Sequence, residues 1–151
     1  MKTRFCMVVV IVLLSMGMSA TYAADYESAT VTTLKKTTVT EDGQPIVCPK
    51  SDRLEVTAMV VELPVGGETG WHQHAYPLYA YVLAGTITVT LDTGAAQVFR
   101  EGDAIIEVVN RQHNGVNTGT VPVKLIVFVT AEQGVPITKK VERPLPTDKV
   151  K

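Results

Sequence analysis

Residues 66–85, GGETGWHQHAYPLYAYVLAG, decide how the rest of the chain is read. At their centre lies His72-Gln73-His74, and the sequence holds only 3 histidines, the third being His113. In an extended strand, residues two apart share a face and lie about 6.5 to 7 Å apart. Both imidazoles of the pair can therefore converge on one ion, and a metal site is the first expectation.

Working outward, Pro64 and three glycines, Gly66, Gly67 and Gly70, form a flexible approach to the pair. Before it, residues 54–63, LEVTAMVVEL, read as a strand buried on at least one face. After Pro77, residues 78–83 form an apolar and aromatic strand stopped by Gly85. Residues 86–91 alternate Thr with Ile or Val at the period of two that marks a half-buried strand. Short strands follow at 97–100 and 104–109, and residues 110–117, which carry His113, read as a polar loop into a further short strand. Residues 123–129, VKLIVFV, form a continuous apolar run expected to be a fully buried strand.

The flanks are of another kind. Lys2 and Arg4 precede an uncharged apolar run and then small residues through Ala23, the layout of a secretory signal peptide too short for a comfortable membrane span. Cleavage is expected after Ala23, with a periplasmic or secreted mature chain and no stable membrane span thereafter. Removing Lys2 and Arg4 takes the formal charge from -1 to -3. With no basic cluster, nucleic acid is not an expected partner. Cys48 is left as the sole mature thiol, so no internal disulfide staples the fold. Residues 24–53 are expected to form an N-terminal strand or arm, rich in Thr and Val to about Thr40 and turning at Asp42-Gly43. Residues 132–151 are expected to be a loose tail. Several short strands with Gly, Pro and Asp-Gly turns and no helical period argue for an all-β sandwich or barrel over residues 54–131.

The pattern Gly66, five residues, His72-x-His74, then Tyr81-Val82-Leu83-x-Gly85 resembles the first motif of the cupin superfamily. Gly102-Asp103, a strand, His113, three residues and Asn117 resemble its second, with residues 86–100 as the hairpin between them. The resemblance implies a single cupin barrel, a jelly-roll-like double-stranded β-helix. It also implies a divalent transition metal, Zn, Fe or Mn, held by His72, His74 and His113. The glutamate that such sites usually add falls at Leu78, and Val108 and Asn110 stand where a proline and a glycine are usual. The implied site is thus three histidines without the customary carboxylate, as in the all-histidine iron sites of thiol dioxygenases, or one that has lost its metal altogether.

Glu107 is the candidate replacement, as a remote ligand, a general base or a partner orienting an imidazole N–H, against the reading of an exposed strand residue. Glu62 and Glu68 are weaker candidates. Leu78, Ala80 and Val82 share the parity of His74 and should line the barrel, while Tyr79 and Tyr81 face the other way, toward packing or an interface. Asn114, Gly115 and Asn117 should satisfy backbone groups in a tight turn. The expected function is binding of, or dioxygenase, isomerase or hydrolytic chemistry on, a small polar or anionic molecule in the barrel. The other reading is a non-catalytic module of the cell envelope for a small molecule or sugar. A homodimer is expected, because exposed sheet edges invite pairing and cupins are commonly dimeric.

Overall fold

Nine strands in two antiparallel sheets carry the chain in a computed structural model that describes residues 28–144. They are β1 (Leu54–Leu63), β2 (His72–Gln73), β3 (Leu78–Ala84), β4 (Thr86–Leu91), β5 (Ala96–Arg100), β6 (Ala104–Ile106), β7 (His113–Asn117), β8 (Val123–Glu132) and β9 (Lys139–Lys140). One sheet has the order β1-β8-β3-β6 and the other β5-β4-β7-β2-β9. The fold is the all-β, jelly-roll-like double-stranded β-helix. The expected signal peptide, residues 1–23, lies outside the described residues.

Alternation explains the core. In β3, Leu78, Ala80 and Val82 are buried, and in β8 Val123, Leu125, Val127, Val129 and Ala131 are buried. Ile87 of β4, Phe99 of β5 and Ile105 of β6 pack against them. Burying each Val, Leu, Ile or Phe among them stabilises the fold by roughly 1.5 to 3 kcal/mol. β4 and β5 pair as the expected hairpin between the two motifs.

Four expectations are corrected. Residues 28–39 form no strand despite their Thr and Val content; the only ladder contact there is an isolated bridge from Val39 to Pro45. Those residues are mostly exposed, and β-propensity has effect only where neighbours pack against the side chains. The Asp42-Gly43 turn does form, closed by Gly43 N–H to Thr40 O at 3.0 Å, and the arm then docks on β6 through Glu41 N–H to Ile106 O at 3.0 Å. Second, β8 is not buried on both faces: Phe128 is 45% exposed. Third, the stretch after Gly134 is not wholly loose. Lys139 and Lys140 pair with Gln73 and His72, and Val141 N–H donates to Trp71 O at 3.0 Å. The segment around His113 is likewise a strand, β7, rather than a loop.

Gly85 is the corner between β3 and β4, where the chain leaves one sheet for the other. Its φ is +84°, and a Cβ there would meet Pro122 O at 2.7 Å and Val123 Cα at 2.9 Å. Gly94, in the β4–β5 turn, has φ +82° but open space around it. Gly94→Ala is therefore expected to cost only left-handed backbone strain, about 1 to 2 kcal/mol. Gly85→Ala adds a clash with backbone and should cost at least about twice that. Urea denaturation of the two variants checks the ranking; equal losses would contradict it.

Candidate metal centre

Backbone register brings the histidines together. His72 of β2 is the cross-strand partner of His113 of β7, and His74 follows one residue beyond β2, its carbonyl accepting from Asn110 N–H at 2.7 Å. Asn110 has φ 53°, so the left-handed position where a glycine is usual is filled by the non-glycine residue that tolerates it best. The ring centroids lie 4.3 to 5.0 Å apart, and all three side chains are buried.

Each ring is fixed by its Nδ1. His72 Nδ1 is 2.7 Å from Gly70 O, His113 Nδ1 is 2.9 Å from Arg111 O, and His74 Nδ1 is 3.0 Å from Ile137 O. A carbonyl oxygen only accepts, so each Nδ1 carries the hydrogen and each neutral ring presents its Nε2 lone pair to the interior. Two of these carbonyls lie two residues before their histidine. The third comes from the segment leading into β9, where the Thr138 hydroxyl is also 3.3 Å from His74 Nδ1.

Glu107 follows β6 and stands directly across from Leu78, to whose carbonyl its N–H donates at 2.9 Å. Residues opposite one another in an antiparallel pair project to the same face about 4.5 to 5.5 Å apart. Leu78, where the carboxylate is missing, is itself buried in the core, as parity required. The acid arrives instead from the neighbouring strand: Glu107 Oε2 is 3.0 Å from His74 Nε2 and 3.5 Å from His113 Nε2. The ligand atoms of His72, His74, Glu107 and His113 all lie within 4.8 Å of one another.

These close contacts are not satisfied hydrogen bonds. His74 Nε2 and His113 Nε2 are buried without an aligned partner, because with Nδ1 protonated a neutral ring turns a lone pair toward the carboxylate's own. A cation between them, a proton or a metal ion, removes the repulsion. Three imidazole nitrogens and a carboxylate are a donor set suited to a divalent transition ion, so the residues present fit the metal.

Proton affinities follow from the same packing. Burial drives the His72 pKa down to about 4, outweighing its bond to Gly70. Burial alone would raise the Glu107 carboxyl, but its contacts with His113 and His74 bring it down to about 2. Burial would lower His113, and the Glu107 carboxylate and the Arg111 carbonyl more than offset it, so that His113 is raised.

The other candidates have different work. Glu62 pairs with Lys124 at 2.9 Å on the outer face. Glu68 accepts from Asn114 Nδ2 at 2.7 Å, and the Thr69 hydroxyl takes the Gly115 N–H at 2.9 Å. Asn117 Nδ2 donates to the carbonyls of Leu63, Pro64 and Val121, and its Oδ1 accepts from Gly119 N–H. Cys48 is exposed. Sequence reasoning missed the Ile137 carbonyl, which has no side-chain signature. It also missed Arg111, whose Nε lies 3.7 Å from Asp42 and 3.5 Å from Asp92. A cavity of about 320 Å³ adjoins the cluster, lined by Glu107, His113, Val89, Phe99, Asp42 and Arg111 among others.

Comparison with known proteins places the fold. Residues 59–129 match a family described as a cupin domain. No curated protein matches the sequence. Among solved structures, the DMSP lyase DddQ from Ruegeria pomeroyi DSS-3 is 22% identical with a TM-score of 0.50, over 66% of this chain and 47% of the lyase. An uncharacterised double-stranded β-helix protein from Klebsiella pneumoniae is 20% identical with a TM-score of 0.49, over 64% of this chain and 85% of that one. An oxalate oxidase in complex with glycolate is 22% identical with a TM-score of 0.48, over 57% of this chain and 46% of the oxidase. The chain thus spans less than half the length of the lyase and the oxidase. At these identities the likeness concerns the fold alone.

In metal-free protein the pH windows separate. The unfolded chain protonates His72 near 6.5 and the folded chain only near 4, so this group removes stability as pH falls through that interval. Glu107 withdraws its contribution lower, between 4.5 and about 2. The contribution of His113 is fully present below 6.5 and is lost as pH rises through its raised pKa. The melting temperature of metal-free protein should therefore fall from pH 6.5 to 4, and His72→Gln should flatten that slope. An unchanged slope in the variant would contradict the assignment.

Proposed function

We propose that this chain, whose barrel is a cupin domain, holds one divalent transition metal through His72, His74 and His113 with Glu107 as the fourth protein ligand. It would act on a small polar or anionic molecule in the adjoining cavity. The observation that carries this reading is the convergence of three Nε2 lone pairs and a carboxylate with no proton of their own to share. Glu107 here takes the place of the glutamate absent at Leu78, so the expected all-histidine site becomes a three-histidine, one-carboxylate site.

A divalent ion held there supplies Lewis acidity toward a substrate oxygen, water or dioxygen. The chain's own residues do the rest. The carbonyls of Gly70, Arg111 and Ile137 hold the rings in one tautomer. Val89 and Phe99 give the cavity an apolar wall. Arg111 lies between Asp42 of the arm and Asp92 of the β4–β5 turn, its Nε 3.7 Å from the one carboxylate and 3.5 Å from the other.

One observation favours the second reading, a non-catalytic module for a small molecule or sugar. The other carboxylates lining the cavity are already engaged. Glu41 Oε1 accepts from Ile106 N–H at 3.0 Å, and Asp42 accepts from Thr40 and Gln44 at 2.6 Å each. Beyond Glu107, then, the lining offers no unengaged acid for proton transfer.

Metal analysis after reconstitution should give one equivalent in the wild type, little in His113→Ala, and about 10-fold or more weaker binding in Glu107→Gln. Occupancy should fall as pH drops through about 6 to 5, because protonated imidazole cannot ligate. Substoichiometric metal in the wild type, or full occupancy at pH 4, would sink the metal reading; normal affinity in Glu107→Gln would remove only the fourth ligand.

The same proposal sends the chain out of the cytoplasm, supported by the basic, apolar and small-residue succession before Ala24. Intact mass of the exported protein should correspond to a start near Ala24; recovery only in the cytoplasm with Met1 to Ala23 retained would overturn export.

A further inference from the structure

Of the four clustered residues, Glu107 and His113 line the cavity of about 320 Å³, so a ligand in it reaches an ion at the cluster from their side. The remainder of the wall is apolar where it is deepest. Ile87, Val89 and Leu91 share one face of β4 by the period of two. Ile87 is buried in the core, while Val89 and Leu91 line the cavity. Leu91 is the cross-strand partner of His113 and therefore stands beside its ring. Phe99, the partner of Ile87 on β5, and Ile105 and Val108 extend the same surface, all three buried.

The charged groups of the lining are matched within the chain. Glu41 is paired with Lys35 and accepts from the Ile106 N–H and from Gln97 Nε2. Asp42 accepts from Thr40 and Gln44 and faces Arg111. Arg111, the single Lys or Arg of the lining, has a second carboxylate, Asp92, 3.5 Å from its Nε. One guanidinium between two carboxylates leaves no cation for an anionic ligand to meet. The carboxylates, with their donors already in place, leave no site for a cationic one.

We infer that this cavity, given the metal centre proposed above on which the assignment rests, takes a neutral molecule with an apolar body and a single oxygen donor for the ion. The volume lies at the low end of the roughly 300–1,000 Å³ of small-molecule sites, which suits one ring with a short substituent. A charged group away from the ion would lose its water without gaining a partner. A sugar would bring several hydroxyls against Val89, Leu91 and Phe99, where each goes unpaired. The ligand proposed above as polar or anionic is thus narrowed to one that is polar only where it meets the ion.

Three phenols that differ at the far end of the ring test this: 4-methylphenol, neutral; 4-hydroxybenzoate, anionic; and tyramine, cationic. Calorimetric titration of the full chain loaded with zinc should give 4-methylphenol a dissociation constant at least about 10-fold below those of the two charged phenols, with glucose weaker still. Metal-free protein should keep the same order at lower affinity. Val89→Thr, which changes the polarity of the wall but not its shape, should weaken 4-methylphenol at least about 5-fold with metal content and circular dichroism unchanged. A charged phenol or glucose bound as tightly as 4-methylphenol would overturn the assignment, as would failure of every phenol to bind at about 10 mM. Indifference of 4-methylphenol to Val89→Thr would place the ligand elsewhere and overturn it too. If Val89→Thr does not fold, nuclear Overhauser contacts between 4-methylphenol and the Val89 methyls of the wild type replace it, and their absence overturns the proposal. Zinc content measured on the same samples keeps the two proposals apart. One equivalent of zinc with a preference for a charged phenol overturns the ligand class alone, whereas a neutral preference in protein that holds no zinc supports the ligand class and removes the ion.

Discussion

Three N–H bonds to backbone carbonyls, one per histidine, are the constraint around which this barrel is arranged. A buried imidazole with both nitrogens free could donate from either, and would find a partner by rotating. Fixing Nδ1 on Gly70, Arg111 and Ile137 removes that freedom and leaves three acceptors pointing into one small space. Acceptors crowded together in an apolar interior are unfavourable without a cation. The local backbone follows from the need to hold them there. His72 is locked to His113 by strand register, His74 is held by Asn110 in a left-handed conformation, and the turn below β7 is saturated by Asn117.

Glu107 shows how a sheet can move a functional group without moving the site. The position that faces the histidines from β3 holds Leu78, and the residue directly across the ladder holds the acid. Cross-strand neighbours share a face, so exchanging leucine and glutamate between two adjacent strands keeps the carboxylate within a side chain's reach of the same point. The exchange also places an apolar residue against the core cluster of Val127 and Val129, where a carboxylate would have been costly to bury.

Much of this was legible in the residues. The bounds of β1 and β4, the Asp42-Gly43 turn and the inward parity of Leu78, Ala80 and Val82 follow from alternation and turn chemistry, and the histidine spacing pointed to one cluster. Glu107 was ambiguous because Ile105, Ile106 and Val108 around it are all apolar, so alternation along residues 104–109 does not by itself tell which parity faces inward. The Ile137 carbonyl was invisible, since a backbone acceptor belongs to every residue type. The Thr- and Val-rich arm misled because composition reports willingness to be a strand and not the presence of a neighbour to pair with. In β8 a continuous apolar run implies burial on both faces, and Phe128, 45% exposed, shows that the described residues cover only one.

The bond from His74 to Ile137 spans 63 residues of sequence, and that separation imposes an order of events on the living protein. While the chain is being made, His72, His74 and His113 can all be present before the carbonyl that sets the ring of His74. The nascent chain therefore has ligands but no finished centre. An ion held there, as proposed above, would therefore be chosen only once the barrel has closed.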